Sequence, residues 1–230
     1  MFFSPLYLVF MLPAMALVGW AQYKVKSTYA RNSEIAAASG RSGAQLARAL
    51  LDSNGLVDVS IEPIAGELTD HYDPRVKVLR LSEDIYNGRS VAAQGIVAHE
   101  VGHAVQDARG YIPLRLRASL VPVAQFGSNL GPILIIIGII FAAGSAFSRE
   151  LVLLGIAFFT AAVVFQIVTL PVELNASRRA MVMLSDGGFI EADEYQPAKQ
   201  VLNAAAMTYL AATLAAIMQL IYYLFLSRRD

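Results

Sequence analysis

The chain of 230 residues has three histidines, and two of them stand four positions apart around a glutamate, in His99-Glu100-Val101-Gly102-His103. On an α-helix that spacing puts both imidazoles on one face, one turn above the other, so that they can hold a single metal ion. Glu100 follows the first of them. From there a carboxylate can take the proton of a water activated at the metal and deliver it to a leaving amine, which is metal-assisted hydrolysis. The competing reading is a buried helix whose histidines are satisfied by hydrogen bonds within the core. Residues 91–105 are rich in Val, Ala, Ile and Gly, and two imidazoles and a carboxylate left unpaired among them would be costly. A metal ion satisfies all three together.

Two histidines leave a tetrahedral Zn²⁺ one protein ligand short if one vertex is to stay open for water. Cysteine is absent, which removes thiolate ligands and disulfides and leaves His, Asp and Glu. Downstream, Pro171 is expected to restart a helix with Glu173 in its first turn. Glu173 is the candidate third ligand. The alternative is an interfacial carboxylate at a membrane border, with Arg178 and Arg179 as headgroup anchors, and spacing alone does not choose between the two. Asp107 and Glu194 are the next candidates.

The elements that must position these groups belong to a membrane protein. Hydrophobic residues make up 56% of the chain and charged residues 16%, which is not the composition of an ordinary soluble domain. Acidic and basic residues balance at 18 each, so no net charge draws the chain toward nucleic acid. Residues 2–21 form a first apolar stretch, with Pro5 and Pro13 inside it, Trp20 and Tyr23 suited to an interface, and Lys24 and Lys26 after it. A cleavable signal carries its basic residues ahead of the apolar run, so this stretch reads as a spanning helix. Residues 27–51 read as an amphipathic helix ended by Asn54-Gly55. Short alternating runs near 57–62, 67–69 and 76–82 read as strands of a small sheet.

The motif helix is expected to start near Ser90 and to end at a left-handed cap on Gly110, with Pro113 beyond. Residues 114–129 return the chain to the membrane. Apolar runs at 132–147 and 151–170, separated only by Ser148-Arg149-Glu150, read as a transmembrane hairpin. An acidic loop at 185–197 leads to a last apolar helix at 198–226. The expected organisation is therefore transmembrane helix 1 (1–21), a catalytic region with a small sheet and the motif helix (22–129), a hairpin (130–170), the third-ligand helix with the acidic loop (171–197), and transmembrane helix 4 (198–226). In fold class this is a mainly α integral membrane protein of about four transmembrane helices with a small α/β, zincin-like catalytic portion.

The motif together with Pro-Val-Glu-x-x-Ala-Ser-Arg-Arg-Ala at 171–180 resembles the YugP-like neutral zinc metallopeptidases, which are bacterial membrane proteins. Asp70-His71-Tyr72-Asp73-Pro74 and Leu79-Arg80-Leu81-Ser82 are similar to that family too, and the likeness covers nearly the whole chain. The resemblance implies a gluzincin-type zinc endopeptidase whose metal is held by His99, His103 and Glu173. It also implies an architecture similar to HtpX-type proteases, in which a transmembrane hairpin separates the motif from the third ligand. Many gluzincins carry an Asp four residues after the ligand Glu, where it orients an imidazole; this chain has Ser177 there, and a hydroxyl does that work weakly. Asn175 and Asp107 are alternatives for the same support.

Stabilisation of the oxyanion formed from a peptide carbonyl needs a donor. His71, Tyr72, Tyr195, Arg178 and Arg179 are the candidates, although a turn histidine such as His71 more often bonds locally. The partners expected are a peptide or protein substrate near the membrane and the lipid bilayer, with no nucleic acid. Extended substrate is expected beside an edge strand at 76–82. Of the 18 Lys and Arg residues, fifteen fall between 22 and 129 or between 171 and 199, against Arg149, Arg228 and Arg229 elsewhere. Basic residues favour cytoplasmic segments, so the site is expected to face the cytoplasm of a multi-pass protein in the bacterial cell membrane. Two other classes compete: a membrane scaffold or assembly factor that keeps a structural metal without catalysis, and a transporter. An intact Glu100 speaks against the first. The near absence of large polar residues other than Gln166 in the central spans speaks against the second.

Overall fold

A computed structural model describes residues 5–141 and 146–227. Four of its helices are long and apolar enough to cross a membrane: α1 (Pro5–Ser33), α5 (Ile112–Phe141), α6 (Ala146–Asp186) and α7 (Tyr195–Leu226). Between α1 and α5 lie α2 (Gly43–Ser53), β1 (Ser60–Ile64), β2 (His71–Asp73), β3 (Val78–Ser82), α3 (Glu83–Asn87) and α4 (Val91–Ala108). The protein is thus a mainly helical membrane protein with a small α/β portion. Its chain divides into two compact units. Of the described residues, 5–21, 115–141, 146–171 and 208–227 form the first, and 22–114 and 172–207 form the second.

In the first unit α5 and α6 form a hairpin held by close backbone approach. A Cβ at Gly131 would lie 2.9 Å from the Gly155 carbonyl, and one at Gly155 would lie 2.7 Å from the Gly131 carbonyl. Small residues let helices meet where apolar side chains gain nothing by leaving lipid. The Ser148 hydroxyl donates to the Gly138 carbonyl at 2.7 Å near the hairpin's end. Tyr7 stacks edge-on against Tyr222 and Phe159 against Tyr223, with centroids 5.1 and 5.2 Å apart. Ser148-Arg149-Glu150, expected as the turn, lies instead inside α6, and residues 142–145 fall outside the described residues. So do Arg228 and Arg229. Residues 112–141, expected as a returning segment followed by a span, form one helix that runs through Pro122 and Pro132.

Two further expectations change. Pro171 does not start a helix but sits within α6, which carries Glu173 on the same continuous element as the apolar run before it. Proline interrupts a helix by removing one N–H and crowding the carbonyl four residues back, yet apolar helices accommodate it. The helix expected from Ser27 onward belongs to α1 up to Ser33. There the polar residues turn inward on their own helix: Ser27, Asn32 and Ser33 donate to the carbonyls of Lys24, Thr28 and Tyr29. A new helix, α2, then starts at Gly43. Ser42 closes a capping box with Gln45 at its head.

The core of the second unit gathers Leu46, Leu50 and Leu51 of α2, Leu79 and Leu81 of β3, Ile85 of α3, Val97 and Val101 of α4, and Leu184 of α6, all fully buried. The sheet has the order β1-β3-β2, with β1 parallel and β2 antiparallel to β3. The third strand, expected near 67–69, forms at 71–73. Residues 76–82 were the expected edge; β3 is instead central, bonded on both sides, because Leu79 and Leu81 are the residues that must be buried. It offers no main-chain edge to a substrate. The motif helix runs as expected. Ser90 caps its start by accepting from the Ala93 N–H, and at its end Gly110 takes φ +63°. There Tyr111 N–H donates to the Gln106 carbonyl and Gly110 N–H to the Asp107 carbonyl, both at 2.9 Å, closing a Schellman cap.

Candidate metal centre

His99 and His103 lie on one face of α4, their rings 4.8 Å apart between centroids and nearly perpendicular. Facing them, α6 brings Glu173, which is 1% exposed. Its Oε2 lies 3.1 Å from Nε2 of His99 and 3.4 Å from Nε2 of His103. One ligand atom from each of the three lies within 4.8 Å of the others. Such closeness between helices requires that α4 be thin at the crossing, and Gly102 makes it so. A Cβ there would sit 2.8 Å from the Ala176 carbonyl of α6. The second variable position of the motif therefore decides how near Glu173 can come.

The far side of each imidazole is tied as well. His99 Nδ1 lies 3.1 Å from the Ser177 hydroxyl. His103 Nδ1 lies 3.0 Å from Oε1 of Gln106, whose amide nitrogen donates to the Val172 carbonyl at 2.8 Å and to Asn175 Oδ1 at 3.0 Å. Arg179 Nε donates to the same Asn175 oxygen at 2.8 Å. With their Nδ1 atoms engaged, both rings turn Nε2 toward the Glu173 carboxylate. A neutral imidazole with hydrogen on Nδ1 has a lone pair on Nε2, and a lone pair facing a carboxylate oxygen calls for a cation between them. The donor set, two imidazole nitrogens and a carboxylate oxygen, suits Zn²⁺.

Glu100 is buried. Removal from water pushes its carboxyl up from the ordinary carboxylate range, against the pull of the neighbouring imidazoles. Burial would lower His103, but the Glu173 hydrogen bond and the Glu100 charge outweigh it and the net direction is upward.

The remaining expected residues scatter. Ser177 supports His99, and Arg179 acts on Asn175, whereas Arg178 is exposed. His71 is bonded through Nδ1 to the Thr69 carbonyl at 2.8 Å, a local turn contact. The Tyr72 hydroxyl donates to Asp107 Oδ2 at 3.0 Å, and burial with that carboxylate pushes the phenol up. Asp107 thus serves a tyrosine, and Asn175 reaches His103 only through Gln106. Tyr195 packs against the core with Lys199 over its ring. Glu194, considered as a ligand, accepts instead from the backbone N–H groups of Ala38 at 2.6 Å and Glu191 at 2.8 Å, so it pins the acidic loop to the segment before α2. A cavity of about 740 Å³ elsewhere in this unit is lined by Tyr29, Ser33, Glu34, Asp84 and Arg89 among others, and by none of the three ligand candidates.

Gln106 is the residue that sequence reasoning missed. A signal existed, since it stands three positions after His103 and hence on the same helix face.

Among the described residues, four long apolar helices and a unit that gathers two histidines of one helix with a glutamate of another define a class, helical membrane proteins with a group that could hold a metal ion. The chain belongs to the family described as "Putative neutral zinc metallopeptidase", which matches residues 7–228. It is 46% identical over 227 residues to the "Putative membrane protease YugP" of Bacillus subtilis (strain 168), across 98% of this chain and 99% of that protein. No solved structure matches it.

Proposed function

We propose that this protein is a zinc-dependent endopeptidase of the gluzincin type acting on membrane-associated proteins, with His99, His103 and Glu173 as ligands and Glu100 as general base and then acid. The observation that carries this reading is the convergence of the three ligand side chains to within 4.8 Å. Bound zinc supplies a Lewis acid that acidifies water and polarises a carbonyl. Glu100 takes the proton of the attacking water and gives it to the amine nitrogen as the peptide bond breaks. Ser177 and Gln106 orient His99 and His103 by engaging their Nδ1 atoms. A purely structural metal would close its fourth vertex with another side chain; among the described residues the group comprises three.

The catalytic portion is formed by residues 22–129 with 171–197, and residues 1–21, 130–170 and 198–226 hold it in the membrane. The excess of Lys and Arg in those two catalytic segments assigns them to the cytoplasmic side. A reporter inserted within residues 185–197 should read as cytoplasmic, and an impermeant thiol reagent should fail to label Ser53→Cys in intact cells. For the chemistry, purified wild type and Glu100→Gln are compared by metal analysis and casein digestion. Both should carry zinc, and only the wild type should cleave. Cleavage by Glu100→Gln would remove Glu100 from its role.

A further inference from the structure

We propose that Gln106 is a positioning residue that fixes the tautomer of His103, its own amide being oriented by the Val172 carbonyl and, through Asn175, by Arg179. The proposal rests on the metal-site reading above. Each link admits one polarity. A guanidinium has only donors, so the Asn175 atom 2.8 Å from Arg179 Nε is the amide oxygen. That oxygen then requires a donor from Gln106 at 3.0 Å, and the Val172 carbonyl, which can only accept, requires another at 2.8 Å. Both hydrogens of the Gln106 amide are thereby committed to α6. Its oxygen is left facing His103 Nδ1 at 3.0 Å, where it can only accept. His103 therefore carries its hydrogen on Nδ1 and keeps the Nε2 lone pair for the metal.

Burial makes the arrangement consequential. Gln106 is 0% exposed and His103 is 8% exposed, so water is poorly placed to substitute for any link. His99 differs: its partner is a hydroxyl, which donates or accepts with equal ease and dictates no tautomer. The two ligands from one helix are thus held unequally. Isolated imidazole side chains prefer the hydrogen on Nε2, so the network works against an intrinsic preference at His103 and leaves His99 to the metal.

The test uses full-length protein with ¹⁵N-labelled histidine rings, compared as wild type, Gln106→Met and Gln106→Glu. Two readouts apply: ring ¹⁵N spectra of chelator-treated protein at alkaline pH, and zinc affinity by chelator competition. Wild type should show His103 with hydrogen on Nδ1. Gln106→Met should show mixed tautomers at His103 and a zinc affinity lower by about 10- to 100-fold, with its helical circular dichroism kept. Gln106→Glu still presents an acceptor oxygen to Nδ1 and should hold the hydrogen there, which a merely space-filling role would not predict, while its affinity stays below wild type because its other oxygen meets the Val172 carbonyl and Asn175 Oδ1 where the amide hydrogens stood. Wild type that binds zinc with His103 in the other tautomer, or Gln106→Met that binds as tightly as wild type, overturns the positioning role and leaves the metal site standing. Absence of zinc uptake by wild type overturns the site itself, and this proposal with it.

Discussion

The two units differ in where their polar groups find partners. In the first, hydroxyls turn back onto their own helix: Thr160 donates to Ile156, Thr169 to Phe165 and Ser128 to Gln125. Contact between helices there falls mainly to glycines and aromatic rings, with the Ser148 hydroxyl bonded across to the Gly138 carbonyl. In the second unit, beyond the end of α1, polar contacts also cross between distant elements, as Gln106 does to α6, Tyr72 to Asp107, Asp70 to Ser82 and Glu194 to Ala38. The difference follows from the surroundings. An apolar helix that faces lipid must close every hydrogen bond within itself, whereas a unit built around buried ionisable groups must find partners for them wherever the chain supplies one. One expects substitutions in the first unit to change helix association and to leave metal binding alone, and those in the second to reach the metal.

The sharpest break in that contrast comes from the proposed ligands. His99→Ala, His103→Ala and Glu173→Ala should each abolish stoichiometric zinc binding, measured by metal analysis after gel filtration; retention by Glu173→Ala would place the third ligand elsewhere. Next, Glu100→Gln should lower peptide hydrolysis by on the order of 10²- to 10⁴-fold at unchanged zinc content. Glycine substitutions separate the units directly. Gly102→Ala should cost about 1–3 kcal/mol of overpacking and weaken zinc binding, since α4 must move from Ala176. Gly95→Ala, whose added Cβ finds its nearest neighbour, the Ala198 carbonyl, 3.7 Å away, should be nearly silent. In the hairpin, Gly131→Leu should lower the thermal midpoint without changing zinc affinity, and a loss of zinc there would erase the contrast. At the small end, Tyr72→Phe should cost about 0.5–1.5 kcal/mol in a denaturation experiment and leave zinc binding intact.

Particular residues show why some of this was legible and some was not. His99, Glu100 and His103 could be read as a site because a helix places positions four apart on one face whatever surrounds it. The caps of the motif helix were equally local, Ser90 at one end and Gly110 at the other. Glu173, 74 residues from His99, was a candidate with an even alternative until α6 set it against α4. Alternation identified strands in the 57–82 region, but the side chains of β3 do not say which strands flank it, and the edge expected there is the sheet's centre. Pro171 looked like a beginning because proline favours that position in soluble helices; the apolar helix simply runs through it.

Sequence by itself determined the periodicities: four apolar helices, a helix bearing two imidazoles and a carboxylate, a left-handed cap. These arise from backbone geometry acting over one or two turns, and a few neighbouring residues suffice to specify them. Only the tertiary structure decided partners. That Gln106 serves His103, that Asp107 serves Tyr72 and that Glu194 holds a loop depended on which surfaces meet. A buried polar group is stabilised by whichever complementary atom the packed chain brings within hydrogen-bond distance, and that atom belongs to another segment.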